Sequence, residues 1–335
     1  MSNNYTILIT DYAWSSIEPE RQILSETRAD VIVADSGDED ELISLAPNVD
    51  GILTCWKPVR ECVISTASKC QIIARYGIGL DNIDVPSATE NGIIVTNVPA
   101  YCVDEVTDHA MALLLACARK IPLFNSAVKS NIWDPNIGCR MYRLRNKILG
   151  IVGFGHIGKA IIPKAIALGM KVKVYSPRTT QELIGQHGAE KVSFDELLTT
   201  SDFITIHAPL TSETQHMFGD EEFRAMKSTA FLINTSRGGI VDTLALTAAL
   251  QNGEIAGAGL DVLETEPPHQ DETILQLDNV IITPHAAFIS EESIIELQET
   301  AAKCVAQVLS GYIPESVVNP TVLDQPNLRA KSLLN

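Results

Sequence analysis

The feature that most constrains this chain is a glycine run, Gly153-Phe154-Gly155-His156-Ile157-Gly158, between an apolar stretch, KILGIV, and a helix-compatible one, HIGKAIIPKAIALG. A second apolar stretch, KVKVY, follows directly. Strand, glycine loop, helix and strand in that order predict a βαβ unit with parallel strands. Gly153 permits a tight turn, Gly155 lets the backbone approach a pyrophosphate, and Gly158 lets the helix lie close on the strand. The helix N-terminus then offers amide donors to phosphates. The expected ligand is a dinucleotide.

The second strand ends at Ser176, 18 residues after Gly158, where such folds usually present an acid to the ribose 2′-hydroxyl. Arg178 and Thr179 come next. A carboxylate would repel a 2′-phosphate, whereas a serine hydroxyl and a guanidinium would hold one. NADP(H) is favoured on this reading. NAD(H) remains the alternative, since Pro177 could aim Arg178 away.

Alternating strands and helices run through the whole chain, the pattern of parallel sheets covered on both faces. The first hundred residues give YTILIT, DVIVAD, GILTC, QIIARY and IIVTN, separated by polar segments such as 18–27, and read as a flavodoxin-type unit. A long helix over 103–119 and a looped arm over 121–145 lead to ILGIVGF, KVKVYS, FITIHA, TAFLINT, GAGLDV and VIITPH. A last helix, about 290–310, comes after the final strand and would return to the first domain. At 335 residues the chain exceeds what one core sustains. The expected division is 1–101 with 291–335, a substrate domain, and 102–290, a dinucleotide domain.

Composition excludes several classes. A formal charge of −17 offers no basic face to nucleic acid. The longest apolar run, 110–118, is half of what a membrane helix needs, so no membrane partner is expected. MSNNYTILITDY carries no basic, cleavable leader. Seven scattered cysteines (Cys55, Cys62, Cys70, Cys102, Cys117, Cys139 and Cys304) form no C-x-x-C pair, which suits buried thiols in a reducing cytoplasm. The seven histidines show no metal-ligand spacing, and no metal is expected.

Three more segments each end a strand of the second series: Asn234-Thr235-Ser236-Arg237-Gly238-Gly239, Asp261-Val262-Leu263-Glu264-Thr265-Glu266-Pro267 and Thr283-Pro284-His285-Ala286-Ala287. With the glycine loop, they resemble the D-isomer-specific 2-hydroxyacid dehydrogenases, and the likeness runs from DYAWSSIEPERQIL to VVNP. Within the family, RYGIGLDNID, NVPAYCVDEVTDHA and TPHAAFISEES are most similar to bacterial proteins resembling C-terminal-binding protein.

The resemblance implies two Rossmann-like or flavodoxin-like parallel-sheet α/β domains with the active-site cleft between them, hinged near 99–101 and 288–291. It also implies hydride transfer between NAD(P)H and a small 2-keto or 2-hydroxy acid. Arg237 would hold the substrate carboxylate and carbonyl oxygen, its fork matching two oxygens. His285 would exchange a proton with that oxygen, as suits a ring whose ordinary pKa lies near neutrality. Glu266 would pair with His285 and orient it. Asp261 would lie by the nicotinamide, His156 and Ile157 would lie against the pyrophosphate, and Ala208, Pro209 and Thr235 would line the cofactor cleft. Backbone amides of Tyr76-Gly77-Ile78-Gly79 would receive the substrate carboxylate. His109 is expected to be a packed or interface residue, and His207 has no assigned chemistry.

Thr54 stands where phosphoglycerate enzymes of the family usually carry an arginine, which favours glyoxylate, hydroxypyruvate or another short keto acid. Lys57 either reaches an acidic group of the substrate or lies on the surface, and Trp56 either walls a small pocket or does the same. Two other readings compete: a dinucleotide-sensing scaffold like the corepressors, with little turnover, and a D-3-phosphoglycerate dehydrogenase. A phosphite- or formate-oxidising relative fits TPHAA less well. A homodimer is implied, built on the helix at 103–119 and the arm after it, which would cover Ile132, Trp133 and Ile137.

Overall fold

The computed structural model describes residues 5–138 and 140–330. Cys139 and the outermost residues of the expected 1–101 and 291–335 segments lie outside the described residues. The chain forms two compact units, Met1–Tyr101 with Ser290–Asn335, and Cys102–Ile289.

In the first unit, strands β1 (Tyr5–Ile9), β2 (Ala29–Val33), β3 (Gly51–Thr54), β4 (Ile72–Arg75) and β5 (Ile94–Thr96) alternate with α1 (Glu18–Ser25), α2 (Glu39–Leu45), α3 (Glu61–Thr66) and α4 (Val85–Glu90). The sheet is parallel, in the order β2-β1-β3-β4-β5, the flavodoxin order. Both faces are covered, so Ile7, Ile9, Ile52, Leu53, Ile72 and Ile73 are fully buried and the strands read as unbroken apolar runs.

The second unit opens with α5 (Val103–Arg119) and α6 (Ile121–Lys129). It continues as β6 (Ile148–Val152), α7 (His156–Ala167), β7 (Lys171–Tyr175), α8 (Gln181–Gln186), β8 (Glu190–Lys191), α9 (Phe194–Thr200) and β9 (Phe203–Ile206). Then come α10 (Asp220–Ala225), β10 (Phe231–Asn234), α11 (Thr243–Asn252), β11 (Gly257–Leu260) and β12 (Val280–Ile282). The seven strands are parallel, ordered β12-β11-β10-β9-β6-β7-β8. One apolar core joins α5 and α7 to one face of the sheet, and another joins α9, α10 and α11 to the other. Contact with α5 is close: a methyl group added at Gly259 of β11 would lie 3.0 Å from Leu113 Cβ.

Two elements differ from the sequence-based expectation. The arm at 121–145 begins as a helix, α6, and not as a loop. Lys120 ends α5 in the left-handed conformation (φ 51°), a break no glycine announces, and Pro122 then suits the first turn of α6. Strand β8 is a two-residue polar edge, too short to carry a period. Among the described residues no single helix is long and apolar enough to cross a membrane; α5 and α6 together have the length but are bent by 62°.

The last helix, α12 (Glu291–Leu309), belongs to the first unit. Ser290 and Ser293 cap it reciprocally, and buried Leu297, Ala301, Ala302 and Val305 pack it against α1, β3 and β4.

Candidate active site

Parallel strands bring all their C-terminal ends to one edge of the second sheet. Strand order therefore fixes the order of the loops along that edge. Ser176 and Arg178 follow β7, the glycine loop follows β6, Ala208 and Pro209 follow β9, Thr235 and Arg237 follow β10, Asp261 and Glu266 follow β11, and His285 follows β12. The direction of winding reverses between β6 and β9, which leaves a crevice there.

The glycine loop is built to lie against that crevice. Gly153 has φ 101°, and a Cβ on it would overlap the His207 carbonyl, so only glycine lets the loops after β6 and β9 touch. A Cβ at Gly158 would come 2.5 Å from the Gly153 carbonyl oxygen, which is the close helix–strand approach. Gly155 faces open space, and a Cβ there would have nothing within 4 Å. Helix α7 starts at His156, and its first-turn amides have no intrahelical acceptor. Thr235 Oγ1 is buried without a partner. An open glycine, unpaired amides and an orphaned buried hydroxyl along one edge fit a dinucleotide's phosphates and sugars. Ser176 is buried with its hydroxyl 2.8 Å from that of Thr179, and Arg178 is 90% exposed, 3.9 Å from Glu213.

At the β10 end, buried Asn234 shapes the turn that presents Arg237. Its Oδ1 accepts from the amide and hydroxyl of Ser236 (3.0 and 2.8 Å), and its Nδ2 donates to the Arg237 carbonyl (2.9 Å). Gly238 lies on the backbone of Leu263, where any Cβ would overlap, so the Arg237 turn and the loop after β11 are locked together.

That second loop carries Glu266. Its Oε1 accepts from the Leu263 amide (3.0 Å) and its Oε2 is 2.7 Å from His285 Nδ1. The His285 ring stands edge-on to Phe288 and is itself only partly exposed. Its backbone is left-handed (φ 52°), and its amide donates to the Asp261 carbonyl at 2.7 Å. The Asp261 carboxylate, 1% exposed, accepts from Thr283 Oγ1 (2.5 Å) and from the amides of Ala286 and Ala287 (both 2.9 Å). His109 Nε2, on α5, is 2.9 Å from Thr283 Oγ1.

Two further histidines border these loops. His207 shares a hydrogen bond with Thr205 through Nε2 (2.9 Å), while Nδ1 is sealed without a partner; burial pushes its pKa down to about 3. His216 Nε2 lies 2.5 Å from Glu264 Oε1, and that carboxylate raises its pKa. Burial pushes the Glu264 carboxyl up, but hydrogen bonds from His216 and Thr243, together with the charge of the His216 ring, outweigh it and the net direction is down. Sequence reasoning left His109 as a packed or interface residue, gave His207 no chemistry and passed over His216; only the spacing TDHA on a helix that crosses β10 and β11 could have pointed to His109.

The remaining expected residues lie in the first unit, after β3 and β4. Asp11 accepts from the amides of Cys55, Trp56 and Lys57 (3.0, 2.7 and 3.3 Å), and Thr54 Oγ1 donates to the Lys57 carbonyl (2.9 Å). Lys57 Nζ is 3.0 Å from Asp38, and the Arg75 guanidinium lies 5.8 Å from the centre of the Trp56 ring. Tyr76 is buried, its hydroxyl donating to Glu20 (3.1 Å), which also accepts from Gln298 (2.7 Å). Burial raises the pKa of Glu20. Gly77 has φ 140°; contrary to expectation the amides of Tyr76 and Gly77 are already spent, on the carbonyls of Thr54 (2.8 Å) and Arg75 (3.1 Å), while those of Ile78 and Gly79 have no partner among the described residues.

Known proteins share this arrangement. The NAD binding domain of the D-isomer specific 2-hydroxyacid dehydrogenases matches residues 111–287, over half of the chain. A glyoxylate reductase of Thermococcus litoralis is 44% identical over 289 residues, 84% of this chain and 87% of that one. A D-3-phosphoglycerate dehydrogenase of Methanocaldococcus jannaschii is 39% identical over 326 residues, 96% of this chain and 61% of that one. The crystal structure of Aquifex aeolicus D-lactate dehydrogenase, complexed with NAD and lactic acid, is similar with a TM-score of 0.84 at 28% identity, over 95% of this chain and 97% of that one. The glycine loop, the three strand-end segments and these likenesses agree, and the chain belongs to the D-isomer specific 2-hydroxyacid dehydrogenase family of NAD(P)-dependent oxidoreductases.

Proposed function

We propose that this protein reduces a short 2-keto acid, glyoxylate or hydroxypyruvate, to the matching 2-hydroxy acid, the D isomer where the product is chiral. The observation that carries the reading is the 2.7 Å pair between His285 Nδ1 and Glu266 Oε2 at the end of the dinucleotide-binding edge. A carboxylate only accepts, so Nδ1 carries a proton and Nε2 is left to give or take one. When bound, NAD(P)H supplies the hydride. His285 Nε2 donates the proton to the substrate's carbonyl oxygen, and Glu266 holds the resulting ring orientation. Arg237 pairs with the carboxylate and polarises the carbonyl.

The glycine loop, with His156 and Ile157, takes the pyrophosphate, and Ala208, Pro209, Thr235 and Asp261 border the nicotinamide half. Ser176 and Arg178 take a 2′-phosphate, so NADP(H) is preferred; the support is that Arg178 is exposed and pairs with Glu213 only at 3.9 Å. Residues 102–290 serve as the dinucleotide domain and 1–101 with 291–335 as the substrate domain, where the amides of Ile78 and Gly79 receive the carboxylate. Lys57, already paired with Asp38, acts at the edge of that site. Thr54 offers a phosphate no charge and is engaged with Lys57, which supports a small, unphosphorylated acid. A homodimer in the reducing cytoplasm completes the reading; Cys55, Cys70 and Cys117 are buried, with pKa values pushed up to about 12.

Nicotinamide absorbance, followed with a panel of glyoxylate, hydroxypyruvate, pyruvate and 3-phosphohydroxypyruvate, tests this. His285→Ala should lower kcat by about 10²–10⁴-fold. Glu266→Gln should lower it by about tenfold or more, with little change in cofactor affinity. Wild-type protein that binds NADPH but turns over no keto acid would leave a dinucleotide-sensing scaffold as the function.

A further inference from the structure

The imidazole of His109 plays no part in the chemistry above, yet it is joined to the loop that carries His285. Helix α5 delivers it to the end of β12, where Nε2 is 2.9 Å from Thr283 Oγ1 and 3.5 Å from Asp261 Oδ1. The side chain is 24% exposed, so it is a lining group rather than a solvated one.

Proton counting gives this contact a direction. Asp261 receives two backbone amides and the Thr283 hydroxyl, and a carboxylate with three donors around it acts as acceptor throughout. Thr283 has one hydroxyl hydrogen, and the 2.5 Å contact to Asp261 uses it. Oγ1 is then an acceptor toward His109, so His109 must present Nε2–H. The chain of donation runs from His109 Nε2–H to Thr283 Oγ1–H to Asp261. Asp261 in turn ties down the amides on the C-terminal side of His285 and accepts the His285 amide through its own carbonyl. His285 is served by this restraint because its backbone sits at φ 52°, a conformation that residues with a side chain adopt infrequently.

We propose that His109 is a positioning residue for His285, acting through Thr283 and Asp261 as the Nε2–H form. Removing the donor leaves the Thr283 hydroxyl free to turn and loosens the carboxylate that clamps residues 285–287. The His285 ring then samples positions away from the carbonyl oxygen, while the cofactor's phosphate contacts at the other end of the edge are untouched. This rests on the acid–base role proposed for His285.

The test uses the whole protein. Nitrogen-15 spectra of histidine-labelled protein should find the proton of the neutral His109 ring on Nε2; a ring protonated on Nδ1 alone overturns the proposal. His109→Leu should lower kcat for glyoxylate by about tenfold, with KM and the Kd of NADPH within about threefold of wild type. His109→Gln, which restores an N–H at similar reach, should recover most of the loss. Thr283→Val should match His109→Leu, and the double variant should be no worse than either. His109→Leu with wild-type kcat, or with kcat and cofactor affinity falling together alongside Tm, shows a packing residue and overturns the proposal. Wild-type turnover that survives His285→Ala would instead refute the acid–base reading, while the position of the His109 proton still reports on the hydrogen-bond chain.

Discussion

At the scale of single residues, the choice between the two cofactors rests on the turn after β7. Ser176 is turned toward Thr179, and Arg178 reaches into solvent beside Glu213. Both partners of that ion pair are exposed, so it holds the guanidinium weakly and leaves it available to a phosphate. Arg178→Ala should therefore weaken NADPH by about ten- to a hundredfold, the range of a charge-assisted hydrogen bond, and leave NADH nearly unchanged. Ser176→Asp should reverse the preference by placing a carboxylate where the 2′-phosphate would go. Dissociation constants of both cofactors for the two variants decide it: equal losses for NADH and NADPH in Arg178→Ala would sink the assignment.

At the scale of elements, β9 is followed at once by a histidine, His207, that acid should turn against the fold. His207 donates its amide to the Val152 carbonyl (2.7 Å), its own carbonyl lies against Gly153, and its Nδ1 is sealed, so the ring is held neutral with a pKa of about 3. The unfolded chain binds a proton near the ordinary value, about 6.5, before the folded one does. Stability from this group is thus complete above that value and falls as pH drops toward about 3. Urea unfolding should show wild-type stability falling, between pH 6.5 and 5, by up to about 2 kcal/mol more than that of His207→Gln. Equal acid sensitivity in the two proteins would refute the sealed neutral ring. His216 has the opposite sign: Glu264 raises its pKa, so its contribution is present at lower pH and is lost as pH rises through the folded value.

At the scale of the whole molecule, each unit has its own parallel sheet and its own buried core, and six of the fifteen exposed large apolar side chains among the described residues fall on one segment of 22 residues, 121–142. Ile121, Val128, Ile132, Trp133, Met141 and Tyr142 are all exposed, Trp133 at 87%, whereas Ile137 is half-buried. Exposed apolar groups gathered within some twenty residues are the signature of a covered surface. Light scattering should find a dimer for the wild type and a monomer, or a dimer weakened by about tenfold or more, for Trp133→Glu. A wild type that is monomeric at micromolar concentration excludes the homodimer.

Much of this was determined by sequence alone, because it depends on local order. The glycine loop, the unbroken apolar strands and the 103–119 helix each announce themselves within a dozen or so residues, through periods and backbone demands that no distant contact alters. The segments at 234–239, 261–267 and 283–287 were legible as strand ends for the same reason. The helix at 121–129 was not, because the break before it is a lysine in a conformation that lysine rarely signals. Tertiary structure decided which residues the strand order brings together. It set Gly238 on Leu263, sealed His207 beneath the glycine loop, and drew His109, 174 positions away in sequence, onto Thr283. Contacts of that kind are fixed by crossovers between parallel strands, and the identities of the residues that meet there carry no period for a sequence to display.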